Sequence, residues 1–337
     1  MTSWPATGDF PAGGAGLSVE GYLEFLRKEY LGDFIRAGGA AVRFLVLGGD
    51  DVARRWHAGL AAAATEDGYT YVLVDAEQTR VHLMHELFTA VSRQVDWRRL
   101  SSAAVRTAYD GVGLPAPSGA DVTVATVARH HDVDSRELNR SVRRRLEHTV
   151  LADSALAPEF RLAMLRLCHG ELGSGEVDAG ECAAVLGWLR GEPVPLARLR
   201  PALIYTRIGR HNARPMLLSL AAWLFRNTGS GLVLDLDLAR LAVSRRPPMD
   251  GREGVYYSKA ATLDAYEVLR QLVDATDTLH SALVAVGLPP ALVTDDVRGV
   301  PAYTALQMRI VDEVRDRRRA NPFAALVRLE VRLEAVQ

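Results

Sequence analysis

Apolar positions along this chain follow two rhythms, and the two alternate. Val42-Arg43-Phe44-Leu45-Val46-Leu47 and the run from Tyr69 to Asp75 are nearly unbroken, which suits strands buried on both faces of a parallel sheet. Around them the spacing shifts to three and four residues. Tyr22, Phe25, Leu26, Leu31, Phe34 and Ile35 predict a helix that Gly38-Gly39 ends. A second helix is expected from about Val52 to Thr65, and Met84, Leu87, Phe88 and Val91 stripe a third. Strand, helix, strand, helix in this order is the pattern of βαβ units.

From about residue 96 to 200 only the helical rhythm remains, broken by Pro115, Pro117, Gly119, Gly170, Gly173 and Gly175. That stretch reads as an all-helical insertion between sheet elements. The segment Asn212 to Arg226 is apolar on almost every side and predicts a deeply buried helix. Leu232-Val233-Leu234-Asp235 follows as a third strand. After a loop from Ser244 to Gly254 come a helix through Leu263, Tyr266, Leu269 and Leu272, and a fourth strand from Ala282 to Val286. A helix bearing Leu306, Ile310, Val311 and Val314 ends in Arg315, Arg317, Arg318 and Arg319, and a last strand or edge element is expected from Ala324 to Leu333. The expected organisation is a flexible lead-in at 1–17, an α/β domain made of 18–95 and 201–337, and the helical insertion at 96–200.

Composition narrows the class without naming a reaction. A 337-residue chain that is 48% hydrophobic and 24% charged is long enough for a well-buried core. A formal net charge of -1 argues against a protein dominated by nucleic-acid binding, although local basic patches remain open. No apolar run approaches a membrane span and no secretory signal pattern opens the chain, so a cytoplasmic protein without membrane partners is expected. Cys168 and Cys182 lack the company of a disulfide framework or metal site. Lysine is confined to Lys28 and Lys259 while arginine is abundant, so Arg-for-Lys drift competes wherever a lysine is missing.

Two segments carry candidate chemistry. A phosphate loop needs glycines that let backbone N–H groups curl around phosphates, a lysine, and a hydroxyl for magnesium. Laid from Gly48 across Gly49, Asp50 and Asp51, that pattern puts Ala53 at the second glycine, Arg54 at the lysine and Arg55 at the hydroxyl. The acidic pair would oppose a polyanion. The second segment, Leu232 to Asp237, has the form of a strand whose Asp235 supports magnesium. Leu236 then stands where an acid should polarise the attacking water, and an isobutyl group cannot accept a proton. The competing reading is that Asp235 and Asp237 cap the turn that follows.

Ala125 to Leu146, with the run Arg143-Arg144-Arg145, has the outline of a helix-turn-helix. Against DNA reading, its turn carries Asp132 and no glycine, and a basic run more often marks a solvated helix face. His130-His131 occupy adjacent helical positions that do not converge on a metal, and no metal site is expected.

In this frame the chain resembles the ATP-binding protein family of bacteriophage exclusion (BREX) systems, from about Tyr22 to Leu329. The resemblance rests on Phe34-Ile35-Arg36-Ala37-Gly38-Gly39, Gly187-Trp188-Leu189-Arg190-Gly191-Glu192, Ile208-Gly209-Arg210-His211-Asn212-Ala213-Arg214, Gly231-Leu232-Val233-Leu234-Asp235, Leu269-Arg270-Gln271-Leu272-Val273-Asp274 and Asn321-Pro322. It implies an additional-strand P-loop NTPase-like sheet with a helical insertion, ATP and magnesium as ligands, and helicase, methylase or other defence proteins as partners. The departures fall where chemistry would occur: Arg54, Arg55, Leu236, and the sensor position near Val286-Gly287-Leu288, which offers no polar side chain. The expected function is therefore a catalytically degenerate ATPase-like subunit with a structural or regulatory role, with no catalytic residue and a vestigial nucleotide site at Gly48, Gly49, Ala53, Arg54, Arg55 and Asp235. The alternatives are an ATP-binding protein with unusual hydrolysis, in which Arg54 replaces the lysine, and a DNA-binding module in the helical insertion. Arg207, Arg210 and Arg214, like Arg315 to Arg319, are candidate surfaces for an anionic partner.

Overall fold

The computed structural model describes residues 16–245, 254–310 and 320–331. The expected lead-in up to residue 15, most of the loop between Ser244 and Gly254, and Val311, Val314 and Arg315 to Arg319 lie outside the described residues. By contact, the chain divides into two units, one formed within Met1–Leu87 and Ser230–Gln337 and one by Phe88–Gly229.

In chain order the elements begin with β1 (Leu17–Ser18), α1 (Val19–Phe25), a π-helical stretch (Leu26–Phe34), β2 (Ala40–Leu47), α2 (Asp50–Glu66) and β3 (Thr70–Asp75). Helices α3 (Met84–Gln94), α4 (Trp97–Gly111), α5 (Val124–His131), α6 (Ser135–Leu151), α7 (Pro158–Glu171), α8 (Ala179–Leu189) and α9 (Ala213–Thr228) follow with no strand among them. The chain then forms β4 (Leu232–Asp237), α10 (Lys259–Val273), β5 (Ala282–Leu288), α11 (Pro290–Thr294), α12 (Thr304–Ile310) and β6 (Leu326–Glu330).

All six strands run parallel in the order β1-β6-β2-β5-β4-β3. Strand β5 is thus interposed between β2, which leads into the Gly48-Gly49 turn, and β4, which carries Asp235. That is the additional-strand arrangement of a P-loop NTPase-like α/β fold, as the sequence reading expected. Because helices cover both faces, the central strands are apolar at nearly every position. One face presents Ala41, Leu45, Leu47, Val233, Leu283, Ala285, Val327 and Leu329 to Leu26, Leu31, Ile35, Trp56 and Leu60. The other buries Phe44, Val46, Val72, Val74, Leu234, Leu236, Val284 and Val286.

Five elements differ from the sequence reading in extent or form. Strand β4 continues past Asp235 to Asp237, because its ladder with β3 and β5 runs on to pair Asp237 with Asp75 and Gly287. Strand β5 likewise reaches Leu288, while β6 is confined to Leu326–Glu330. The short edge strand β1 pairs Leu17 with Leu329 inside a segment read as lead-in. The helix expected through Tyr22 and Ile35 widens after Phe25, where the Ile35 N–H donates to the Tyr30 carbonyl five residues back at 2.8 Å.

Candidate functional site

The carboxyl ends of parallel strands are where open α/β sheets place their ligands, so the turn after β2 comes first. It is two residues long. Gly49 has φ 149°, a conformation that L side chains rarely adopt, and helix α2 starts at the next residue. The Ala53 N–H, at the position of the pattern's second glycine, already donates within the helix to the Gly49 carbonyl at 3.0 Å. A phosphate-cradling nest needs successive backbone N–H groups outside a helix. Here Asp50, Asp51, Val52 and Ala53 belong to α2 instead. Asp50 and Asp51 sit in the first turn, where carboxylates complement the helix dipole.

The two arginines turn to local partners. The Arg55 guanidinium lies 3.2 Å from Asp51 and 3.6 Å from Glu20, and Arg54 lies 3.8 Å from Asp51, all at exposed positions. Pairs of this kind contribute little to stability. Ala53 is half-buried against the core face beneath.

Asp235 has a different environment. Strand alternation puts Val233, Asp235 and Asp237 on the α2 face of the sheet and Leu236 on the opposite face. The Asp235 side chain is fully buried, and three donors occupy its two oxygens. The Trp56 indole N–H reaches Oδ1 at 3.2 Å, while His57 Nδ1 at 2.7 Å and the Tyr71 hydroxyl at 2.9 Å reach Oδ2. His57 Nε2 lies 3.3 Å from Asp237 Oδ2, an ion-pair contact off the line of a good hydrogen bond. Adjacent helix positions diverge by roughly 100°, so Trp56 goes down into the core while His57 bridges the two aspartates at the sheet's upper rim.

Electrostatics tighten this arrangement. Burial alone would lower the His57 pKa, but hydrogen bonds to Asp235 and Asp237, reinforced by their charges, outweigh it and raise it to about 10. The ring is therefore charged at neutral pH, donating from Nδ1 to Asp235 and facing Asp237 with Nε2 as an ion pair. Burial pulls Asp237 upward, yet the His57 hydrogen bond, the Ala239 N–H and the His57 charge together hold it below the ordinary carboxylate range. Tyr71 is driven above the phenol range by burial and by the neighbouring Asp235 charge. Asp75, beside Asp237 in the ladder, is raised mainly by burial.

Leu236 lies on the far side of the strand, buried beside an apolar void of about 10 Å³ shared with Leu238, Ala265, Val268 and Leu269. Of the two aspartates offered as caps, Asp237 does cap the following turn, accepting from the Ala239 N–H at 2.9 Å. Asp235 does not; it points into the His57 cluster. At the expected sensor position Gly287 packs against Leu47: a Cβ would come 2.7 Å from Leu47 Cδ1, so any side chain there would require Leu47 to move. No group of three or more His, Cys, Asp or Glu suited to a metal occurs among the described residues.

The sequence reading thus located Asp235 but missed Trp56, His57 and Tyr71, which surround it. A faint signal existed. Val52, Trp56, Leu60 and Ala64 form the buried stripe of α2, so His57 flanks the stripe that must face Val233 and Asp235.

In the helical unit, α5, the turn Asp132-Val133-Asp134 and α6 form a helix-turn-helix segment. Within the basic run, Arg143 is paired with Glu147 and Glu176, while Arg144 and Arg145 are exposed, Arg145 beside Gly111. His130 is exposed, and His131 Nε2 contacts the Pro115 carbonyl at 2.8 Å. Cys168 is buried and Cys182 half-buried, both as free thiols, and burial raises the pKa of each. The loop after Leu203 is pinned by Asn212, whose Oδ1 accepts from the Gly209 N–H at 2.8 Å, and its Arg207 and Arg210 are exposed.

No helix among the described residues is long and apolar enough to cross a membrane. No curated protein and no solved structure matches the chain. Residues 120–335 match the model of the family described as BREX system ATP-binding protein BrxC/D, a range that includes Asp235 and leaves out the Gly48-Gly49 turn. The chain belongs to that family.

Proposed function

From that membership we propose that this chain is a structural or regulatory subunit of a BREX anti-phage system that keeps the ATPase frame and does not hydrolyse ATP. One observation carries the reading: Asp235, the carboxylate at the magnesium-supporting position, has both oxygens occupied by Trp56, His57 and Tyr71 and is sealed from solvent. A carboxylate serves a hydrated cation only through oxygens the cation can reach. The helical start of α2 at Asp50 supports the same reading, because it removes the loop that would cradle phosphates. The side chain beside Asp235 is an inert leucine, and Arg54 and Arg55 are engaged with Asp51.

In this reading Gly48, Gly49, Ala53, Arg54, Arg55 and Asp235 are remnants of a nucleotide site, and ATP and magnesium are not ligands of the chain. The α/β domain acts as a scaffold in the cytoplasm for other defence-system proteins, an active ATPase or helicase among them. Titration of the purified chain with a fluorescent ATP analogue and magnesium, combined with a phosphate-release assay, tests it. Neither binding nor turnover is expected. Saturable binding with turnover would replace this reading with that of an ATPase using an unusual loop, and binding without turnover would make the chain a nucleotide-sensing subunit.

A further inference from the structure

The helical unit Phe88–Gly229 carries a row of charge that its own fold does not use. Helix α6 buries Leu138, Val142, Leu146 and Val150 along one side. Arg136, Arg140 and Arg144 recur at the same four-residue interval, all exposed, and His148 continues the row. At 1.5 Å per residue the four positions span roughly 18 Å. None of the three arginines makes an ion pair among the described residues, whereas Arg143 on the neighbouring row is held by Glu147 and Glu176. Like charges at this interval repel one another.

The frame around the row is specific as well. Asp132 adopts the left-handed conformation at φ 52°, ψ 48°, the geometry that a glycine otherwise supplies in such a turn. The lack of glycine is therefore no obstacle to a tight helix-turn-helix. Thr123 caps α5 through the Thr126 N–H, and Asp134 caps α6 through the Glu137 N–H at 2.8 Å, so both helices begin firmly. We propose that α6 is a docking surface for duplex DNA, with Arg136, Arg140 and Arg144 meeting phosphates that border the major groove.

The character of the face favours nucleic acid over an acidic protein. Protein interfaces centre on apolar and aromatic side chains, whereas DNA interfaces are polar and strongly positive. Between Asp134 and Val150 no large apolar side chain is exposed; Val133 and Leu151 stand only at the ends. Beside the row lie Ser135, Ser141 and Thr149, and Glu137 is the only acid within Ser135–Leu146. A straight, positive helix following a tight turn is the form that enters a major groove, with the flanking arginines on the backbone.

The test uses the full chain and a short fluorescent duplex, followed by anisotropy between about 50 and 200 mM salt. The triple variant R136Q/R140Q/R144Q is compared with R99Q/R200Q, which removes two exposed arginines elsewhere in the same unit. The wild type is expected to bind with a steep salt dependence. The triple variant should lose about tenfold or more in affinity, and the slope of log K against log salt should fall by about three. The R99Q/R200Q variant should change little. The triple variant should also melt within a degree or so of the wild type, since none of its three arginines makes an ion pair among the described residues, which separates lost binding from lost folding. No duplex binding by the wild type, an equal loss in R99Q/R200Q, equal affinity for a single strand of the same length, or equal competition by polyglutamate would each overturn the proposal.

Discussion

Asp235 and Arg140 are both charged side chains on regular elements, and the protein treats them in opposite ways. Asp235 has no exposed surface and three donors on two oxygens. Arg140 is exposed and has no ion-pair partner among the described residues. A charge whose every hydrogen-bonding site is filled from within is part of the architecture, and removing it leaves its partners stranded. A charge that the fold leaves unneutralised is available to something outside. By this criterion the end of β4 is a clasp between α2 and the sheet, while the unneutralised charge lies on a helix of the other unit.

The contrast can be broken most forcefully at Asp235. Asp235→Ala strands a buried imidazolium, an indole N–H and a phenol, and is expected to destabilise the chain by about 3–5 kcal/mol in denaturant unfolding. Asp235→Asn keeps an acceptor and should cost less. If the alanine variant unfolds at the wild-type midpoint, the clasp is ornamental.

His57 sharpens the comparison through pH. Its pKa rises from an ordinary 6.5 to about 10 on folding, so the folded chain holds that proton more tightly than the unfolded chain. Its contribution is complete below pH 6.5 and fades as pH rises through 10. Thermal melts of the wild type should fall across that window, by an amount on the order of a few kcal/mol, and melts of His57→Gln should start lower and stay flatter there. An unchanged slope in the variant would detach His57 from the clasp.

Gly49→Ala probes the turn. A Cβ at that residue would meet no atom within 4 Å, so the expected cost of about 1–3 kcal/mol comes from the backbone alone. A neutral outcome would mean that the turn relaxes into an ordinary conformation. The smallest effect is expected from R54K/R55T. These exposed side chains make only weak pairs, so stability should stay within about 0.5 kcal/mol and no phosphate release should appear. Turnover in that double variant would contradict the proposed function.

The sheet was legible because burial on both faces writes an almost unbroken apolar run, as in Phe44 to Leu47 and Leu232 to Leu234. Strand β1 was not, since two residues held by pairing to Leu329 and Glu330 leave no pattern. At the candidate site the residue types were readable and their surroundings were not. An apolar run ending in aspartate has the same spelling whether the carboxylate faces water or a tryptophan. The partner that decides, His57, is 178 residues away in sequence. The same limit misdirected attention on α6. Arg143-Arg144-Arg145 is the conspicuous run on paper, yet adjacent helical positions face different ways, and the exposed row is spelled at every fourth residue.

Under the proposed function, the short turn after β2 bears on how easily a loss of hydrolysis could be reversed. Single-codon changes can restore a lysine or a threonine, but they cannot add backbone. With α2 committed from Asp50 and its fourth residue already bonded to the Gly49 carbonyl, reopening a cradle would require either an insertion or the unwinding of a helical turn that carries Val52 and leads directly to Trp56. Loop length then works as a ratchet, and ancestors or cousins that still cleave nucleotide should differ from this chain by added residues at that point before they differ by any particular side chain.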